Sequence, residues 1–234
     1  MPSPLDGRMS MFPVLFEQIL EIHDPEPHDA PLNMAIDEAL LQCATQPILR
    51  IYGWREPALS LGYFSRYTEA EQTAAGRTMV RRWTGGGLVE HGEDITYTLI
   101  VPTGASFLRH NALESYRLIH EHIAQWLRAN GLKADVIAEN AAGGAASACF
   151  VRPVQYDIVA QGVKIAGAAQ RRTRWGLLHQ GSIQAPAEIR RNTKTLFEAF
   201  THKTAMGQIT AEVQHHAEQI AHDRYATDAW LRKF

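Results

Sequence analysis

The segment RRWTGGGLVEHGEDITYTL (81–99) sets three consecutive glycines, Gly85, Gly86 and Gly87, between two stretches patterned as strands. Glycine inside a strand packs nothing and loses more backbone entropy on folding than any other residue. A continuous strand through 85–87 is therefore disfavoured, and two arrangements fit. One is a bulged turn flanked by solvated arginines. The other is a loop whose missing Cβ atoms let a ligand reach main-chain N–H groups, with Arg81 and Arg82 placed to clamp an anionic group bidentately. The spacing is not GxGxxG and no Walker lysine follows, which argues against dinucleotide-binding and P-loop readings.

The surrounding pattern places strands in the middle of the chain and helices at its ends. VLFEQILEI (14–22) reads as a first strand, and 29–44 as a helix carrying Leu32, Ala35, Ile36, Ala39, Leu40 and Cys43 at helical spacing, capped by Asp29 or Asn33. Strands follow at 48–54 and 58–64, joined by a turn at 55–57. TEAEQTAAG (68–76) predicts a short helix with Thr68 as cap, Glu71 completing a capping box and Gly76 ending it. Strands at 78–83 and 94–102 flank the glycines. In the second, Ile95, Tyr97, Leu99 and Val101 alternate with Thr96, Thr98 and Ile100, as expected of one buried face. The strongest helix covers 112–131, its apolar stripe formed by Leu113, Tyr116, Ile119, Ile123, Trp126 and Leu127. A hairpin over 155–172 pivots at Gln161-Gly162, a strand covers 175–185, and the tail from Pro186 is helical and charged. Hairpin connections predict an α+β fold, a mixed and mainly antiparallel sheet flanked by α-helices.

With 234 residues, 45% hydrophobic, the chain can bury one large core. Residues 1–12 read as a loose leader, and 13–234 as a single domain with a helical tail from about 186. A formal charge of −2 gives no reason to expect nucleic acid or a membrane surface as partner. No apolar run reaches the roughly 20 residues of a membrane helix. Two cysteines, Cys43 and Cys149, are too few for a disulfide framework and point to a reducing cytoplasm. A monomer or weak oligomer is expected.

Lys164, in GVKIAGAA, is either the solvent-facing member of its strand or a cation aimed at a carbonyl or phosphate near the glycine loop. Cys149, in SACF after the bland run ENAAGGAASAC (139–149), is either an inert small hydrophobe or a nucleophile whose thiolate nearby cations favour. The histidines of HEH (120–122) and HH (215–216) read as solvated helix faces, without metal-ligand spacing, and no metal site is expected. No GxSxG elbow is present.

Taken together, RRWTGGGLVEHGEDITYTL, GVKIAGAAQRR and LHQGSI resemble the lipoate–protein ligase and octanoyltransferase family, from Asn33 to about Pro186. The resemblance implies a fold shared with biotin ligases and class II synthetase catalytic domains. It implies a channel for a medium-length acyl chain, with Gly85, Gly86 and Gly87 along the acyl group and Lys164 at its carbonyl. Arg81, Arg82, Thr84, His91, Asp157 and Gly167 would shape the pocket. SACF resembles the segment of the cysteine-dependent transferases and would make Cys149 the nucleophile. That reaction needs no cofactor. Its donor would be acyl carrier protein, its acceptor the glycine-cleavage H protein or a dehydrogenase E2 lipoyl domain. Arg171, Arg172 and Arg174 read equally as a docking patch for such acidic carriers or as a solvated strand end. An ATP- and Mg-dependent ligase is the main alternative, although Tyr156-Asp157 stands where ligases tend to carry Asn-Asp. An octanoyl amidotransferase and a non-catalytic acyl- or carrier-binding protein are the others.

Overall fold

The computed structural model describes residues 13–138 and 154–234. The chain runs β1 (Ile19–His23), α1 (Ala30–Cys43), β2 (Ile48–Tyr52), β3 (Ala58–Leu61), α2 (Tyr67–Ala74), β4 (Thr78–Arg81), β5 (Leu88–His91) and β6 (Ile95–Pro102). It continues through α3 (Ala112–Ala129), β7 (Asp135–Val136), β8 (Ile158–Ala160), β9 (Val163–Thr173) and β10 (Gly176–Ile183). Then come α4 (Ala187–Arg190), β11 (Thr204–Met206), α5 (Ala211–Ile220) and α6 (Asp228–Leu231).

Eight strands form the main sheet in the order β11-β1-β2-β6-β10-β9-β8-β7, and three form a smaller one, β4-β3-β5. In the main sheet β11, β1 and β2 run parallel, and every pairing from β2 to β7 is antiparallel. The fold is thus α+β with a mixed, mainly antiparallel sheet flanked by helices. The β1–α1–β2 crossover accounts for a parallel pair in a hairpin-rich chain.

Both faces of the main sheet are covered. Leu49, Tyr97, Leu99 and Val101 pack with Ile119, Ile123 and Leu127 of α3 and with Phe197 and Phe200. On the other face Ile48, Ile100 and Leu178 pack with Met34, Ile36 and Leu40 of α1, which Ala217 and Tyr225 cover from outside. All eight residues of β6 are consequently buried, rather than one alternating face.

Local signals explain several boundaries. Asp29 caps α1 by accepting from the Leu32 amide at 2.9 Å, and Asn111 caps α3 by accepting from Glu114 at 2.9 Å. The β8–β9 hairpin turns on Gln161 (φ 51°) and Gly162 (φ 78°), the two positive φ values of a type I′ turn. Gly131, at φ 86°, follows the end of α3.

Other expectations are corrected. Helix α2 begins after Arg66 with no side-chain cap; Glu71 instead accepts from the Tyr67 hydroxyl at 2.9 Å. Strands β2 and β3 do not pair: one belongs to the main sheet, the other to the small one. An additional strand, β5, follows the glycines directly. The charged tail holds β11 as well as helices, because a three-residue strand recruited by backbone pairing to β1 leaves no periodicity to read. Leu113, placed on the apolar stripe of α3, is 52% exposed. His120 and His122, read as solvated, are buried because α3 sets His120 against the Tyr156 loop and, on another side of the helix, His122 against the Pro13 carbonyl. Among the described residues no helix is long and apolar enough to cross a membrane.

Candidate active site

Between the two sheets lies a cavity of about 170 Å³. Its floor follows from register: Gly167 pairs with Ser182, Ser182 with Thr96, and Thr96 with Tyr52. Paired residues share a face, so these four form one row across β9, β10, β6 and β2, about 14 Å at the usual interstrand spacing. Gly86, Gly87, Arg82, Ser60, Val89 and His91 close the opposite wall.

Lys164 enters at the β9 end. Its side chain is 6% exposed, whereas the neighbouring Val163 is 66% exposed, so the strand turns its lysine inward and its valine out. The ammonium lies 2.8 Å from Asp157 Oδ2. Asp157 also accepts from the Tyr116 hydroxyl at 2.7 Å and from the Val154 amide at 2.8 Å. Burial, reinforced by the Asp157 charge, raises the Tyr116 hydroxyl well above its ordinary value, so it stays a donor. Gly167 makes room for this pair: a Cβ there would lie 2.6 Å from Lys164 Cε and 2.7 Å from Nζ.

The glycine loop is held by its carbonyls. Arg82 donates to Gly85 O at 3.1 Å and Gly87 O at 2.9 Å, while also reaching Ser60 O at 2.6 Å. Ser65 donates to Gly86 O at 3.1 Å, and the Gly62 amide to Gly87 O at 3.1 Å. Gly86 needs its φ of 83° for this path. Among the described residues the Gly86 amide donates to no other group.

His91 is fixed on three sides. Ser60 Oγ meets its Nε2 at 2.6 Å, Asp94 its Nδ1 at 2.9 Å, and the Trp54 indole stacks on it at 4.2 Å. Asp94 also accepts from Thr96 and Ser182; although burial alone would raise it, these hydrogen bonds and His91 hold the carboxyl below its ordinary value. Thr84 lies behind the loop and donates to Gln180, which donates to Asp37, which receives Arg50 at 2.8 Å. This chain, wholly buried, ties the loop to α1 and β2.

The structure therefore brings Lys164, Asp157, Gly167, Arg82, Gly86, Gly87 and His91 to one cavity. Thr84 and Gly85 support it from outside. Arg81 points elsewhere: its buried guanidinium donates to the carbonyls of Gly62, Tyr63, Ser65, Trp230 and Leu231, and it does not line the cavity. Arg172 is likewise engaged, with Leu108 O and His110 O, while Arg171 packs over Tyr63 and Trp83. Cys149 lies outside the described residues. Sequence reasoning missed Ser60, Asp94, Gln180 and Ser182 as members of the site. Gln180 and Ser182 stand within LHQGSI, and their only signal is polarity inside a wholly buried strand.

A narrow cavity lined by one ammonium and by the glycine loop suits a chain-like ligand that carries a carbonyl or carboxylate. The model of the lipoyl protein ligase A/B catalytic domain matches residues 29–222, and the chain belongs to that family. Octanoyltransferase LipM of Kyrpidia tusciae is 36% identical over 168 residues, covering 66% of this chain and 61% of that protein. Octanoyltransferase LipM of Oceanobacillus iheyensis is 34% identical over 182 residues, covering 74% of this chain and 65% of its own length. The match thus spans less than two thirds of either relative. Protein Ta0514 of T. acidophilum with bound lipoic acid superposes with a TM-score of 0.73 at 20% identity, covering 94% of this chain and 99% of that one, a likeness of fold.

Proposed function

We propose that this protein is an acyltransferase that moves an octanoyl or lipoyl group onto a lysine of a lipoyl carrier domain, through a thioester on Cys149. The observation that carries the proposal is the buried Lys164 ammonium, held by Asp157 and set in the same cavity as Gly86 and Gly87. Acyl carrier protein is the donor; the glycine-cleavage H protein or a dehydrogenase E2 lipoyl domain is the acceptor. The names of the two bacterial relatives support the transferase over the ligase.

The acyl chain lies along the β9-to-β2 row with its carbonyl at Lys164. The Cys149 thiolate attacks the thioester carbonyl, a C–S bond forms, and the negative charge moves to oxygen. The Lys164 ammonium and the Gly86 amide stabilise that oxyanion; one such donor contributes about 10²–10³ in rate. Collapse breaks the bond to the carrier thiolate, which leaves. The acceptor amine then attacks the acyl-cysteine, the C–N bond of the amide forms, the C–S bond breaks to release Cys149 as thiolate, and the proton the amine loses passes to solvent, balancing the one the carrier thiolate takes up. Neither step consumes ATP or magnesium, which the ligase reaction requires.

Intact mass after mixing with octanoyl-acyl carrier protein tests this. An octanoyl adduct on the protein, absent from Cys149→Ala, is expected. Undiminished transfer by Cys149→Ala overturns the covalent route, and lipoate-dependent pyrophosphate exchange would replace it with the ligase reaction.

A further inference from the structure

The residue that delivers Asp157 to Lys164 is strained. Tyr156 holds φ at 69°, in the left-handed region that a bulky side chain rarely adopts. Its amide donates to Ile137 O at 2.8 Å, and the next amide, Asp157 N, donates to Val154 O at 3.0 Å. The Tyr156 carbonyl is taken by a side chain, His120 Nδ1 of α3, at 2.6 Å. A carbonyl can only accept, so Nδ1 carries the proton and Nε2 is bare.

That bare nitrogen is telling. His120 is wholly buried, and Nε2 has no hydrogen-bond partner among the described residues. Burying an unpartnered polar nitrogen is unfavourable, and a phenyl ring would fill the same space without it. Burial pushes His120 down to about 4, with the Asp157 charge only partly opposing, so the ring is neutral and gains no ion pair at neutral pH. What histidine supplies here that an apolar ring does not is the single N–H on Tyr156.

We propose that His120 is a positioning residue: its Nδ1–H pins the Tyr156 carbonyl and thereby the left-handed turn that aims Asp157 at the Lys164 ammonium. The chain of contacts runs from α3 to the reacting end of the cavity. Tyr116, one turn earlier on α3, packs on the His120 ring with centroids 4.1 Å apart and donates to the other Asp157 oxygen. Two successive turns of one helix thus hold this segment, one at the Tyr156 carbonyl and one at the Asp157 carboxylate. His120 does not line the cavity and touches no substrate. The inference rests on the role given to Lys164 above.

Four proteins test it: wild type, His120→Phe, His120→Asn and His120→Phe combined with Tyr156→Gly. Asparagine keeps an N–H donor at the Nδ1 position. Glycine adopts the positive φ without a latch. In octanoyl transfer His120→Phe is expected to lower kcat about tenfold or more with KM within about twofold, at a melting temperature within about 5 °C of wild type. His120→Asn and the double variant should each recover most of kcat. Full activity in His120→Phe, or equal losses in the phenylalanine and asparagine variants, overturns the proposal.

A second readout is independent of turnover. Peptide mass mapping after brief acetic anhydride treatment should label Lys164 several-fold faster in His120→Phe than in wild type or His120→Asn. Unchanged labelling overturns the latch even if transfer is lost. If wild type transfers no octanoate while the labelling pattern holds, the functional reading fails and the latch stands. Should His120→Phe not fold, His120→Ala replaces it in both readouts.

Discussion

At the scale of single residues, the site depends on atoms that are missing as much as on those present. Gly167 and Lys164 share a volume that one methyl group would fill. The obstructing atoms are the end of a flexible side chain, so Gly167→Ala should displace the ammonium rather than break the sheet. Transfer is expected to fall about 10²-fold, with stability lowered by about 1–3 kcal/mol. Steady-state kinetics beside urea unfolding would check this; a variant that unfolds before it loses activity contradicts it. The importance of Gly167 was legible only through the Lys-Ile-x-Gly segment, because its partner is three residues away along β9 and the clash is visible only in space. Lys164 shows the same limit. Its neighbours are valine and isoleucine, and alternation alone would have sent the lysine to solvent. Its inward turn follows from having Asp157, wholly buried, as a partner.

At the scale of elements, Arg81 is a brace. Five carbonyls, from the loop after β3 and from α6, converge on one guanidinium, and the Trp230 indole returns a hydrogen bond to Arg81 O at 2.9 Å. A short helix such as α6 has little intrinsic stability and is held by tertiary contacts. In Arg81→Met the amides of residues 228–234 are expected to exchange at least tenfold faster in hydrogen–deuterium exchange, with those of β6 and β10 protected as before. Loss of stability should be about 2–4 kcal/mol, the range for orphaning buried acceptors of a charged donor. Uniform exchange across all segments would contradict a local brace. Arg81 and Arg82 are adjacent and chemically identical, yet one holds the C-terminal helix and the other the glycine loop. They sit at the end of β4, where successive side chains point to opposite faces. Which face met the loop depended on how β4 paired with β3, and neither residue's neighbours in sequence carry that information.

At the scale of the whole molecule, the buried polar groups set its response to pH. Burial lowers His120 to about 4, and burial together with His120 lowers His179 well below its ordinary value. An unfolded histidine titrates near 6.5. Between about pH 6.5 and 4 the unfolded chain therefore binds protons that the folded chain does not, so stability falls as pH drops through that window. The slope is about 1.4 kcal/mol per pH unit for each histidine. Urea unfolding from pH 7.5 to 4.5 should show the loss, and His120→Phe should remove part of it. A flat profile would contradict neutral burial. The sequence by itself determined the segments that name the family, the strand-rich middle, the helices α1 and α3, and the hairpin pivot at Gln161-Gly162. Those are local properties, written in spacing, caps and glycine. Only the tertiary structure decided that the glycine loop closes a cavity against β9 and β10 and that Arg81 faces away from it. It also decided that His120 is buried behind Asp157. Each of these depends on sheet pairing and helix packing between residues tens of positions apart, where backbone hydrogen bonds and shape select among faces that a linear pattern leaves equivalent.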